Sequence, residues 1–78
     1  MSRWEKLLEL MRSTPGEIRF SQLQALLRHE GFRVINKRGS HFTYQHDDGR
    51  LVVVVRPHGN HKACHPKDIR KALAILGR

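Results

Sequence analysis

The run Lys37-Arg38-Gly39-Ser40-His41-Phe42-Thr43-Tyr44 places one histidine directly after a Gly-Ser pair and behind two cations. A free imidazole, with a pKa near ~6.5, can give or take a proton around neutrality. Glycine carries no Cβ, so a turn at Arg38-Gly39-Ser40 lets the backbone pass close to a ligand. Cleavage of a phosphate ester needs a base for the attacking hydroxyl, an acid for the leaving oxygen and cations for the developing charge. His41 suits the first or second role. Lys37, Arg38, Arg56 and Lys62 are candidates for the phosphate, with Gly39 and Ser40 offering a close backbone and a hydroxyl. One positioned acid or base contributes about 10²–10⁴-fold, enough for slow, regulated cleavage. The residues alone leave a second reading open, in which His41 is an ordinary exposed strand residue.

Other groups draw chemical readings of less weight. His58, His61, Cys64 and His65 put four possible zinc ligands within eight residues. Their spacing is cramped and their surroundings cationic, whereas structural zinc ligands come as separated pairs, so no metal or other cofactor is expected. His58 reads as a second polar group near the site or as a loop anchor, and Cys64 as a small buried residue. Ser40 has no partners at readable spacing that would make it a nucleophile. Lys62, His65 and Lys67 crowd the start of a helix opened by Pro66, with Asp68 the one acid there. Cations at the positive end of a helix dipole suit a site where an anion binds, or an ordinary solvated face.

These residues need a scaffold, and the hydrophobic pattern supplies one. Trp4, Leu7, Leu8 and Met11 share one helical face, predicting a helix at roughly 3–12 with Ser2 as N-cap and Glu5 completing a capping box. Ser13-Thr14-Pro15-Gly16 breaks it. A second helix is expected from a cap at Ser21, with Gln24 at N3, to a Schellman ending at Gly31 in which Leu27 meets Phe32. Short strands follow at 32–36 and 41–46, separated by a Lys37–Ser40 turn. Asp47-Asp48-Gly49-Arg50 is a hairpin signal. The β-branched run Leu51–Val55 reads as the central or most buried strand. A third helix carries Ile69, Ala72, Leu73 and Leu76 inward and stops at Gly77. Phe42 and Tyr44 should lie on one face of the sheet and His41 and Thr43 on the other. The fold class is α+β: α-β-β-β-α with an extra N-terminal helix, and helices on one face of a three-stranded antiparallel sheet.

The chain has 78 residues and a net charge of +8, so one domain with a single modest core is expected. An excess of 15 Lys and Arg over 7 Asp and Glu creates a field that collects polyanions, with nucleic acid first and an acidic protein second. No apolar run approaches the ~20 residues of a membrane span, and no signal-peptide pattern opens the sequence. One cysteine excludes an internal disulfide and suits a reducing compartment, so the expected location is cytoplasmic.

Gly31-Phe32, then Arg38-Gly39-Ser40-His41 and Tyr44, the hydrophobic strand, His58-Gly59 and a closing helix with Ile69 and Leu73 together resemble the HicA family of toxins. The resemblance covers about residues 20–76 and leaves 1–16 as an N-terminal helical extension. It implies a double-stranded-RNA-binding-domain-like fold and a metal-independent endoribonuclease, or mRNA interferase, acting with His41 as catalytic residue. It also implies messenger RNA as substrate and a HicB-type antitoxin as inhibitor, the toxin being a monomer alone and part of a hetero-oligomer with its antitoxin. Lys37, Arg38, Gly39, Ser40, Arg56, His58, Lys62 and Lys67 form the expected RNA-binding set, directed at A-form backbone and 2′-OH groups with little sequence reading. Without catalysis, the same fold would be an RNA-binding module. The chain departs from the family in three ways. It reads Arg56-Pro57-His58-Gly59 where Pro-Arg-His-Gly is common, it has Phe42 where many members carry a second histidine, and it has the added helix.

Overall fold

A computed structural model describes residues 2–59 and 62–78. The elements are α1 (Arg3–Ser13), a single 3₁₀ turn (Pro15–Glu17), α2 (Phe20–His29), β1 (Phe32–Arg38), β2 (His41–His46), β3 (Leu51–Val55) and α3 (Pro66–Leu76). The antiparallel sheet runs β1-β2-β3. The helices cover one of its faces, burying Phe32, Phe42, Tyr44, Val52 and Val54 against Leu23, Leu26, Leu27, Ile69, Ala72 and Leu76.

The first helix begins as its sequence requires: Ser2 Oγ accepts from the Glu5 N–H at 3.2 Å. Leu7, Leu8 and Met11 enter the common core, so the extension is part of the fold. Trp4 stacks on His29 of α2, ring centroids 4.3 Å apart, tying the two helices together on the outside.

The second helix starts earlier than its pattern suggests. Arg19, not Ser21, is the N-cap, and the Gln22 side chain, not Gln24, accepts from the Arg19 N–H at 2.8 Å. The reason lies outside the helix. Arg19 pairs with Ala63, and the Cys64 N–H donates to the Ile18 carbonyl at 2.7 Å, so a strap ahead of α3 fixes where α2 can begin. Gly31 then ends α2 at φ +92°. There a Cβ would lie 2.9 Å from His46 Nε2, so both conformation and space demand glycine.

Two further sequence expectations are corrected. The β-branched strand is not central: in a meander of two hairpins the middle strand is the second one, and β3 is an edge. Only Val52 and Val54 of β3 are buried, while Leu51, Val53 and Val55 are exposed on the face without helices. Nor do Lys37 and Arg38 belong to a loop. β1 extends through Arg38, which pairs with His41, so only Gly39 and Ser40 turn. Gly39 has φ +56° and Ser40 a negative φ, the signature of a type II′ hairpin, whose twist suits the flanking strands.

The start of α3 is also fuller than its charge pattern implies. His65 Nδ1 accepts from the Lys67 N–H at 3.0 Å and so caps the helix itself. Asp68 is buried, and its Oδ2 accepts from the Val55 N–H at 2.9 Å, fastening the β3 edge to α3.

Candidate functional site

The site is built around the end of the sheet where the β1–β2 turn meets the exit of β3. The Arg56 N–H donates to the Ser40 carbonyl at 2.7 Å, so turn and exit are clamped together. His41 opens β2 directly beside this clamp, paired with Arg38 on one side and Val55 on the other. It stands on the central strand, exposed, on the face free of helices. The register groups it there with Arg38 and Val55, then Asn36, Thr43 and Val53, then Arg33, Gln45 and Leu51.

The two-residue period of the strands sends their neighbours the other way. Lys37 sits opposite Phe42, with its Nζ 5.3 Å from that ring, and Arg56 hangs over the Phe20 ring at 5.9 Å. Both therefore point toward α2. A cavity of about 630 Å³ opens between them. Its walls are Lys37, Gly39, Ser40 and Phe42 of the β1–β2 hairpin and Arg56, Pro57, His58, Gly59 and Lys62 of the segment leaving β3. Arg19, Phe20, Ser21 and Gln24 at the start of α2 complete them. Among the described residues no carboxylate lines it.

Of the sequence-derived set, the fold thus gathers Lys37, Gly39, Ser40, Arg56, His58 and Lys62 around one cavity and turns His41 and Arg38 to the opposite face. Lys67 lines neither; it lies exposed on α3. The α2 residues of the cavity were missed. Arg19 just ahead of a helix start was the available signal, but placing the helix two residues late hid it.

Among the described residues no group of three or more His, Cys, Asp or Glu side chains could hold a metal ion. His61 of the histidine-rich segment lies outside the described residues. Cys64 is buried, and loss of hydration pushes its thiol up to about 11. At the opposite end of the sheet, Arg33 and Arg50 hold Asp47 and Asp48 below the usual carboxylate range.

A basic α-β-β-β-α domain with one sheet face covered and a cationic cavity at its end has the double-stranded-RNA-binding-domain-like fold. Residues 20–77 match the family described as HicA toxin of bacterial toxin-antitoxin systems, and the chain belongs to that family. No curated protein matches it, and no solved structure does. The match begins at the first residue of α2, so α1 lies outside it although it shares the core. None of the helices among the described residues is long and apolar enough to cross a membrane.

Proposed function

We propose that this toxin is a metal-independent endoribonuclease that cleaves messenger RNA in the cytoplasm, with His41 as general acid or base, and that a HicB-type antitoxin neutralises it. The observation that carries this reading is the setting of His41. It is an exposed imidazole at the start of the central strand, beside a hydrogen-bonded turn and opposite Arg38, in a chain of a toxin family. A rigid strand end holds a proton-transfer group in position, and a neighbouring guanidinium suits a phosphorane's developing charge. Leu51, Val53 and Val55 lie exposed on the same face, between 37% and 48% accessible. An antitoxin seated on these apolar side chains would cover His41 as it buried them.

The test is induction of the wild type beside His41→Ala, following growth and transcript integrity, with folding of both purified proteins checked by circular dichroism. Arrest and mRNA cleavage by the wild type, lost in a folded His41→Ala, are expected. A second reading has a specific observation in its favour. Most of the candidate phosphate contacts face away from His41, an arrangement compatible with an RNA-binding module that does not cut. Folded proteins that bind RNA without cutting it or slowing growth would establish that reading instead.

A further inference from the structure

The cavity gathers cations that no carboxylate among the described residues balances. Arg12, Arg33, Arg50, Lys71 and Arg78 each have a carboxylate partner. Among the described residues Arg19, Lys37, Arg56 and Lys62 have none, although the cavity brings all four together. Like charges gathered without counter-charges favour an anionic ligand.

A phosphate alone does not account for the rest of the cavity. At about 630 Å³ it lies within the roughly 300–1,000 Å³ of small-molecule sites, and one wall is aromatic. Phe20 is half-buried, and its ring is fixed edge-on against Phe42 with centroids 5.0 Å apart, so a flat group would meet a preset surface. Ser21 and Gln24, three residues apart on α2, add a hydroxyl and a carboxamide. These are the groups that read the edge of a base, while lysine and arginine hold its phosphate.

We propose that this cavity is a subsite for one unstacked nucleotide of single-stranded RNA. Its base lies against Phe20, its edge meets Ser21 and Gln24, and its phosphate rests on Lys37 and Arg56. The site lies across the sheet from His41, and the proposal rests on the reading of RNA as the toxin's substrate. It replaces the sequence-based expectation of A-form backbone recognition, because a duplex keeps its bases stacked and cannot place one in the cavity.

The test separates binding from cleavage. Full-length protein is titrated with a fluorescent 2′-O-methyl octanucleotide, which lacks the 2′-OH nucleophile, and with the duplex of the same sequence at matched salt. The wild type should prefer the single strand. Phe20→Leu keeps apolar volume but removes the ring, and should weaken single-strand affinity by about 5- to 100-fold while leaving duplex affinity unchanged. Arg56→Gln should lower the slope of log affinity against log salt by about 1, and this readout stands if Phe20→Leu does not fold. Equal affinity for single strand and duplex, or a folded Phe20→Leu that binds the single strand as the wild type does, overturns the proposal. So does a polyglutamate peptide competing as well as the oligonucleotide, which would mark the cavity as a protein-docking site. If His41-dependent cleavage persists while Phe20→Leu binds normally, the subsite alone is wrong. If no nucleic acid binds at all, the nuclease reading falls with it.

Discussion

The two sides of the sheet end are built from adjacent residues and equipped for different tasks. Lys37 and Phe42 face α2, whereas Arg38 and His41, one residue along each strand, face the open side. The α2 side has the larger share of unpaired positive charge and an aromatic wall. The open side has the His41 imidazole beside the Arg38 guanidinium and a row of exposed aliphatic side chains. Nothing in composition requires this division; it follows from the pleat. A one-residue slip of β1 against β2 would send Lys37 to the open side and Arg38 toward α2 while Phe42 and His41 kept their faces, which is why the tight Gly39-Ser40 turn matters as much as the residues it positions. RNA could then be gripped on one side and cut on the other, with an antitoxin needing to cover only the open side.

The sharpest way to break the comparison is His41→Ala. Cleavage should fall by about 10²–10⁴-fold while affinity for the 2′-O-methyl single strand stays within twofold of the wild type. A parallel loss of affinity would show that the two sides are one site.

Asp68 tests whether the open side depends on the helices behind it. Its carboxylate accepts from the N–H of Val55, the strand partner of His41. In Asp68→Ala that amide loses its partner, and stability should fall by about 1–3 kcal/mol in urea unfolding. Cleavage should fall with it even where the protein remains folded, because the edge strand beside His41 is released. Asp68→Asn, which keeps an acceptor oxygen, should lose less of both.

A subtler contrast comes from neutralising one arginine on each side. Arg56→Gln, as above, should reduce the salt dependence of binding. Arg38→Gln should leave that slope near the wild-type value and lower the cleavage rate of bound RNA instead. Identical effects of the two substitutions would erase the distinction between gripping and cutting.

The sequence made much of this visible, in patches with physical causes. Helix faces, caps at Ser2 and Gly77, the ending at Gly31 and the opposed faces of β2 were readable because period and glycine act locally. The position of β3 was not, because a Val run has the same look whether it is buried on both sides or lies at an edge. The start of α2 was misplaced because the constraint is tertiary: the Arg19–Ala63 bridge joins positions far apart in sequence. For the candidate site, type and spacing single out His41 and the cations, and of these the fold gathers Lys37, Arg56 and Lys62 at one cavity. Their division between two faces was hidden, since it turned on whether Lys37 and Arg38 belong to a loop or a strand. Phe20 could not be distinguished from a core aromatic by any local signal.

The smallest effect concerns the strap that sets the cavity wall. Cys64 donates its N–H to Ile18 next to the Arg19–Ala63 bridge, and its side chain is buried in the core. Burial raises the thiol from 9.0 to about 11, so the folded state holds its proton more tightly than the unfolded chain does. The resulting stability is fully present below pH 9 and is lost as the pH rises through about 11. Thermal unfolding of the wild type should therefore weaken over that window more than unfolding of Cys64→Ala, whose other titrating groups are the same. The strap positions Arg19 through its own backbone pairing but reaches the open side only through Asp68, which raises the Cys64 thiol and accepts from the Val55 N–H. The alkaline loss should therefore reach RNA affinity before it reaches the open side. Hydrogen exchange at the Cys64 amide rising ahead of exchange in β2 would show that order. Simultaneous exchange in both would mean that the two sides of the sheet end open as one unit.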